Sequence, residues 1–124
     1  MTSIQPVLTA RDASAAVDFY KRAFGADELS RATNPNGIVA EMAIDEARFM
    51  VVDEVPEALN LSPETLGGTS VRIHLLVADP DAVAERAVAE GATEIFPLAD
   101  QPYGLRQGRF ADPFGHHWLI GGPL

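Results

Sequence analysis

Apolar residues recur along this chain at spacings of roughly 3.6 and roughly 2 residues, and the changes from one to the other mark out its elements. A short apolar run at residues 4–10 predicts a strand. Ala16, Phe19, Tyr20, Ala23 and Phe24 then share one helical face, with Asp12 ahead of them as an N-cap and Gly25 behind them as a left-handed stop. Residues 27–32 resume as a strand and run into Asn34-Pro35-Asn36-Gly37, a stretch dense in turn formers. Residues 38–44 and 47–52 are two more strands joined at Asp45-Glu46, so the first half reads strand, helix, strand, strand, strand.

The same order then starts again. Residues 54–69 contain Pro56, Pro63 and the pair Gly67-Gly68, show no clean period, and are expected to link two modules, about 3–53 and about 70–122. A strand is predicted over 71–77. A helix follows, with Asp79 as N-cap, Pro80 at its first position, an apolar stripe at Val83, Ala84, Ala87 and Val88, and Gly91 as its stop. An offset of 66 lays Ala16 on Ala82, Val17 on Val83, Ala23 on Ala89, Gly25 on Gly91 and Glu28 on Glu94, which is the mark of an internal repeat. A strand at 93–98 and a hairpin turning at Asp112-Pro113-Phe114-Gly115 complete the second module. In 71–77 the odd positions Val71, Ile73, Leu75 and Val77 are apolar and are expected to face a core, while Arg72, His74 and Leu76 share the other face. Either a solvent-facing strand or the floor of a pocket produces that pattern.

Composition narrows the classes. The chain has 124 residues, 47% of them apolar, enough for one domain with its own core. It has no cysteine, which removes disulfides, thiolate metal sites and cysteine nucleophiles. A formal charge of −9 makes nucleic acid and anionic membrane poor partners. The N-terminus lacks the basic and apolar regions of a signal peptide, and no apolar run approaches about 18 residues, so a soluble, cytoplasmic protein is expected.

Asp79-Pro80, Gly91-Ala92, Gln101-Pro102-Tyr103-Gly104-Leu105-Arg106 and Asp112-Pro113-Phe114-Gly115-His116-His117-Trp118, set in a paired βαβββ pattern, resemble the vicinal-oxygen-chelate superfamily, and more closely its PhnB-like branch. That superfamily includes glyoxalase I, bleomycin-resistance proteins and extradiol dioxygenases. The resemblance implies an α+β fold of two tandem βαβββ modules whose curved mixed sheets enclose a cavity, in a homodimer. It also implies, for the enzymes, a divalent metal held by one residue from the first and last strand of each module; those positions fall on Gln5, Met50, Arg72 and Leu119. An amide, a thioether, a guanidinium and a hydrocarbon are no ligand set for such a cation. Ala40 and Leu105 depart from the branch's pattern, where His and Asp are expected. A different metal site would have to combine His74 and one of His116 or His117 with Glu41 or Glu54.

The expected function is therefore binding without metal or other cofactor: an amphipathic small molecule, as in antibiotic-resistance relatives, held in a cavity lined by Gln5, Val7, Met50, Arg72, His74 and Leu119, with Tyr103 and Arg106 at the rim and Trp118 in the core. The acidity of the chain suits a cationic ligand and Arg72 suits an anionic one, and this conflict stays open. An isomerase or lyase is the alternative, working through non-standard metal ligands or metal-free with His74 as general base and Arg72 on an oxyanion. A third reading is a regulatory or structural dimer whose cavity is filled by its own side chains.

Overall fold

The computed structural model describes residues 1–124. Its elements run β1 (Val7–Ala10), α1 (Ala13–Phe24), β2 (Asp27–Asn34), β3 (Gly37–Ile44), β4 (Ala47–Asp53), a short helix α2 (Pro63–Leu66), β5 (Arg72–Leu76), α3 (Pro80–Glu90), β6 (Thr93–Asp100), β7 (Leu105–Ala111) and β8 (His117–Pro123). The expected α+β architecture is present as two four-stranded mixed sheets, ordered β1-β4-β3-β2 and β5-β8-β7-β6. In each sheet the first strand lies parallel to the last and the other neighbours are antiparallel. The repeat extends to register: Val7 faces Met50, and its counterpart His74 faces Leu119.

Local chemistry starts and stops the helices where the sequence predicts. The side chains of Asp12 and Asp79 accept from the N–H groups of Ala15 and Ala82, each at 3.1 Å, and satisfy donors that the first turn leaves free. Gly25 ends α1 at φ 66°, where a side chain would be strained. Residues 54–69 are more ordered than their lack of period suggests. Ser62 caps α2 through the Thr65 N–H at 3.2 Å, and the Glu54 carboxylate accepts from both the N–H (2.7 Å) and the hydroxyl (2.9 Å) of Ser62. The Ser62 N–H, ahead of the other contacts, holds the Glu54 carboxyl below the usual carboxylate range.

Each helix covers one face of its own sheet, and α1 and α3 pack together. On the covered side Leu8, Ala10, Ala40, Met42, Phe49 and Val51 of the first sheet, and Leu75, Phe110, Trp118 and Ile120 of the second, are buried. Aromatic rings join the two halves. Trp118 lies 4.7 Å from Phe24, 5.5 Å from Tyr20 and 6.0 Å from Phe49, ring centre to ring centre, so one core spans both modules. Val71 departs from the expected alternation: it precedes β5, is 65% exposed, and joins no core.

The opposite face of each sheet is left open. Four strands are too few to close a sheet on itself, and the residues expected to line one cavity are spread over separate recesses. Val7 lines one of about 310 Å³, Tyr103 and Leu119 line one of about 340 Å³, and His74 lines one of about 180 Å³. Gln5, Met50 and Arg72 line none of the recesses. No helix is long and apolar enough to cross a membrane.

Candidate functional site

Strand register gathers the polar chemistry of the second half on the open face of its sheet. Side chains alternate along a strand, so the partners of one open-face residue are themselves open-face residues. Arg72 faces His117, which faces Ala111. One rung along, His74 faces Leu119, Leu119 faces Arg109, and Arg109 faces Phe96. On the next rung Gln107 lies between Gly121 and Ala99. None of these rungs carries an Asp or Glu.

Two hydrogen-bonded groups organise the face. Tyr103 donates its hydroxyl to Gln107 Oε1 at 2.5 Å, and Gln107 Nε2 lies 2.9 Å from His74 Nε2. An amide nitrogen only donates, so His74 Nε2 accepts and its neutral ring carries the proton on Nδ1. Arg109 donates from Nε to His117 Nδ1 at 2.8 Å. A guanidinium never accepts, so His117 is the opposite tautomer, with its proton on Nε2. Partial burial, and after it the Arg109 charge, pushes the His117 pKa below the ordinary imidazole value, the same direction as the neutral ring this hydrogen bond requires.

The 340 Å³ recess lies beside these groups, lined by Phe96, Gln101, Tyr103, Gln107, Arg109 and Leu119 together with the backbone of Gly108. Phe96 and Tyr103 are each 62% exposed, two large rings left uncovered at one place.

Of the residues singled out from the sequence, Arg72, His74, Tyr103 and Leu119 come together on this face. Val7 and Met50 lie on the open face of the other sheet, and Gln5 precedes β1, exposed. Arg106 stands apart. It alternates with Gln107 and so points to the helix side, where its Nε and Nη2 bond Asp81 at 2.8 and 2.9 Å and its Nη1 bonds Asp100 at 3.1 Å. Those carboxylates hold the guanidinium pKa above its ordinary value, the Asp81 hydrogen bonds most of all. Trp118 is 2% exposed and belongs to the core. Arg109, Gln107 and Phe96 were not anticipated. The alternation that places Leu119 on the open face also places Gln107 and Arg109 there, once β7 is paired with β8.

The metal implied by the resemblance does not fit the donors present. Gln5, Met50, Arg72 and Leu119 occupy the four positions, and no three His, Asp or Glu side chains come together elsewhere. His116 donates to the Thr9 carbonyl at 2.9 Å, Glu41 accepts from Ser30, and Glu54 is taken by Ser62, so the alternative trio is dispersed among other partners.

The family model described as Glyoxalase/Bleomycin resistance protein/Dioxygenase superfamily matches residues 3–120. An uncharacterized protein of Mycobacterium tuberculosis is 45% identical over 127 residues, covering 98% of this chain and 75% of its own length. Among solved structures, TioX from Micromonospora sp. ML1 is similar with a TM-score of 0.76 at 29% identity, covering 98% of this chain and 100% of its own. TnmS3, an antibiotic binding protein from Streptomyces sp. CB03234, shares the fold with a TM-score of 0.71 at 23% identity, over 99% of this chain and 98% of its own.

Proposed function

Because the chain belongs to the Glyoxalase/Bleomycin resistance protein/Dioxygenase superfamily, we propose that it is a metal-independent binding protein that sequesters an amphipathic small molecule on the open face of its second sheet. One observation carries this reading: Arg109, Gln107, Tyr103 and Phe96 surround a recess of about 340 Å³, while the metal positions implied by the resemblance carry Gln5, Met50, Arg72 and Leu119. The antibiotic-binding TnmS3, of the same fold, supports it by analogy. A homodimer suits the exposed apolar groups of both open faces, with Val7 at 55%, Leu76 at 59% and Phe96 at 62% exposure.

The adjacency of Arg72 and His74 favours one alternative, a metal-free isomerase or lyase. It requires His74 Nε2, the only unprotonated nitrogen of that ring, to be released from Gln107. Native mass spectrometry of protein purified without added ligand separates the two readings. Binding predicts a small-molecule adduct released unchanged on denaturation. Adduct-free protein that converts a carbonyl substrate, and loses that turnover as His74→Gln, would establish the enzyme instead.

A further inference from the structure

We propose that the recess between Phe96 and Tyr103 takes a planar aromatic anion whose acid group sits on the guanidinium of Arg109; the inference rests on the reading of this face as a small-molecule site. Charge segregation is the first argument. Of the nine Lys and Arg side chains, Arg11, Lys21, Arg22, Arg31 and Arg106 lie within ion-pair distance of carboxylates, and Arg48, Arg72, Arg86 and Arg109 do not. Two of these four, Arg72 and Arg109, stand on one face whose rungs carry no carboxylate, in a chain with 18 acidic residues. The face therefore reverses the sign of the molecule around it. This settles locally the conflict between an acidic chain and a basic pocket, because the charge nearest the ligand dominates its binding.

Arg109 is also aimed. Its Nε is occupied by His117 at 2.8 Å, which fixes the plane of the group and leaves Nη1 and Nη2 without protein partners. That end-on pair matches both oxygens of a carboxylate. The rings supply the other half of the specificity. Phe96 lies on the same rung as Arg109, the Tyr103 hydroxyl is tied to Gln107, and Leu119 forms part of the floor. A recess of about 340 Å³ lies near the lower end of small-molecule sites and suits a bicyclic aromatic acid.

The test uses three probes of one shape, 2-naphthoate, neutral 2-naphthamide and cationic 2-naphthylmethylammonium, titrated into isotopically labelled full-length protein and followed by amide chemical shifts. We expect 2-naphthoate to shift residues 96, 103, 107, 109 and 119 and to bind about tenfold more tightly than the amide. Arg109→Gln should abolish that preference while still binding the amide, Arg109→Lys should keep only the part that charge alone supplies, and Arg106→Gln should leave it unchanged; the spectrum of each variant reports its fold. Equal binding of acid and amide at this recess, or tighter binding of the cation, would overturn the inference and leave the small-molecule reading standing. Failure of all three probes to bind here overturns both. Shifts at these residues that follow protein dilution instead of probe would assign the recess to a second copy of the chain and would also overturn it.

Discussion

One oxygen of Asp112 accepts from the Tyr20 hydroxyl at 2.5 Å and from Trp118 Nε1 at 2.9 Å, while the other accepts from the backbone N–H groups of Phe114 and His116 at 2.9 and 3.0 Å. The side chain that starts the last turn thus also satisfies the two polar atoms of the aromatic core, one from each module. Burial, and then the Asp112 charge, holds the Tyr20 hydroxyl well above its ordinary pKa, so it stays a donor. Removing the carboxylate leaves both buried donors unpaired. Asp112→Ala should cost about 2–5 kcal/mol, read as a lower urea midpoint at unchanged slope. A loss within about 0.5 kcal/mol would show that Tyr20 and Trp118 find other partners. The turn motif was legible in the sequence; its reach into the core was not, because Tyr20 and Asp112 are 92 residues apart.

At the scale of elements, period and repeat carried most of the fold. The caps at Asp12 and Asp79, the stops at Gly25 and Gly91, and the duplicated βαβββ order follow from residue spacing alone. Helix α2 escaped because four residues are too few to show a period, and its N-cap Ser62 is held by Glu54, eight residues back in the chain. The site was half legible. Alternation along β5 placed Arg72 and His74 together, but Arg109 required the pairing of β7 with β8, and Phe96 lies between two register shifts in β6 that break any simple alternation. The expected rim position of Arg106 ignored the alternation that turns it from the open face toward α3. Packing between elements has its own sensitive point. A Cβ at Gly122 would meet the Val77 carbonyl oxygen well inside contact distance and lie 3.0 Å from Pro80 Cδ, where β8 passes the start of α3. Gly122→Ala should therefore lower stability by about 1–3 kcal/mol, seen as a lower thermal midpoint. An unchanged midpoint would mean that α3 can shift along the sheet.

For the molecule as a whole, two half-sheets share one aromatic core and leave their outer faces open, and only the second face concentrates cations, imidazoles and uncovered rings. The family's fold is kept here, and a recess lined by arginine, amide and aromatic groups lies on the open face of the second sheet. Metal independence is the central claim. It is tested most directly by calorimetric titration of 2-naphthoate into the full chain before and after exhaustive dialysis against a chelator. The account predicts the same affinity in both preparations. Binding that vanishes on chelation and returns with an added divalent cation would contradict it.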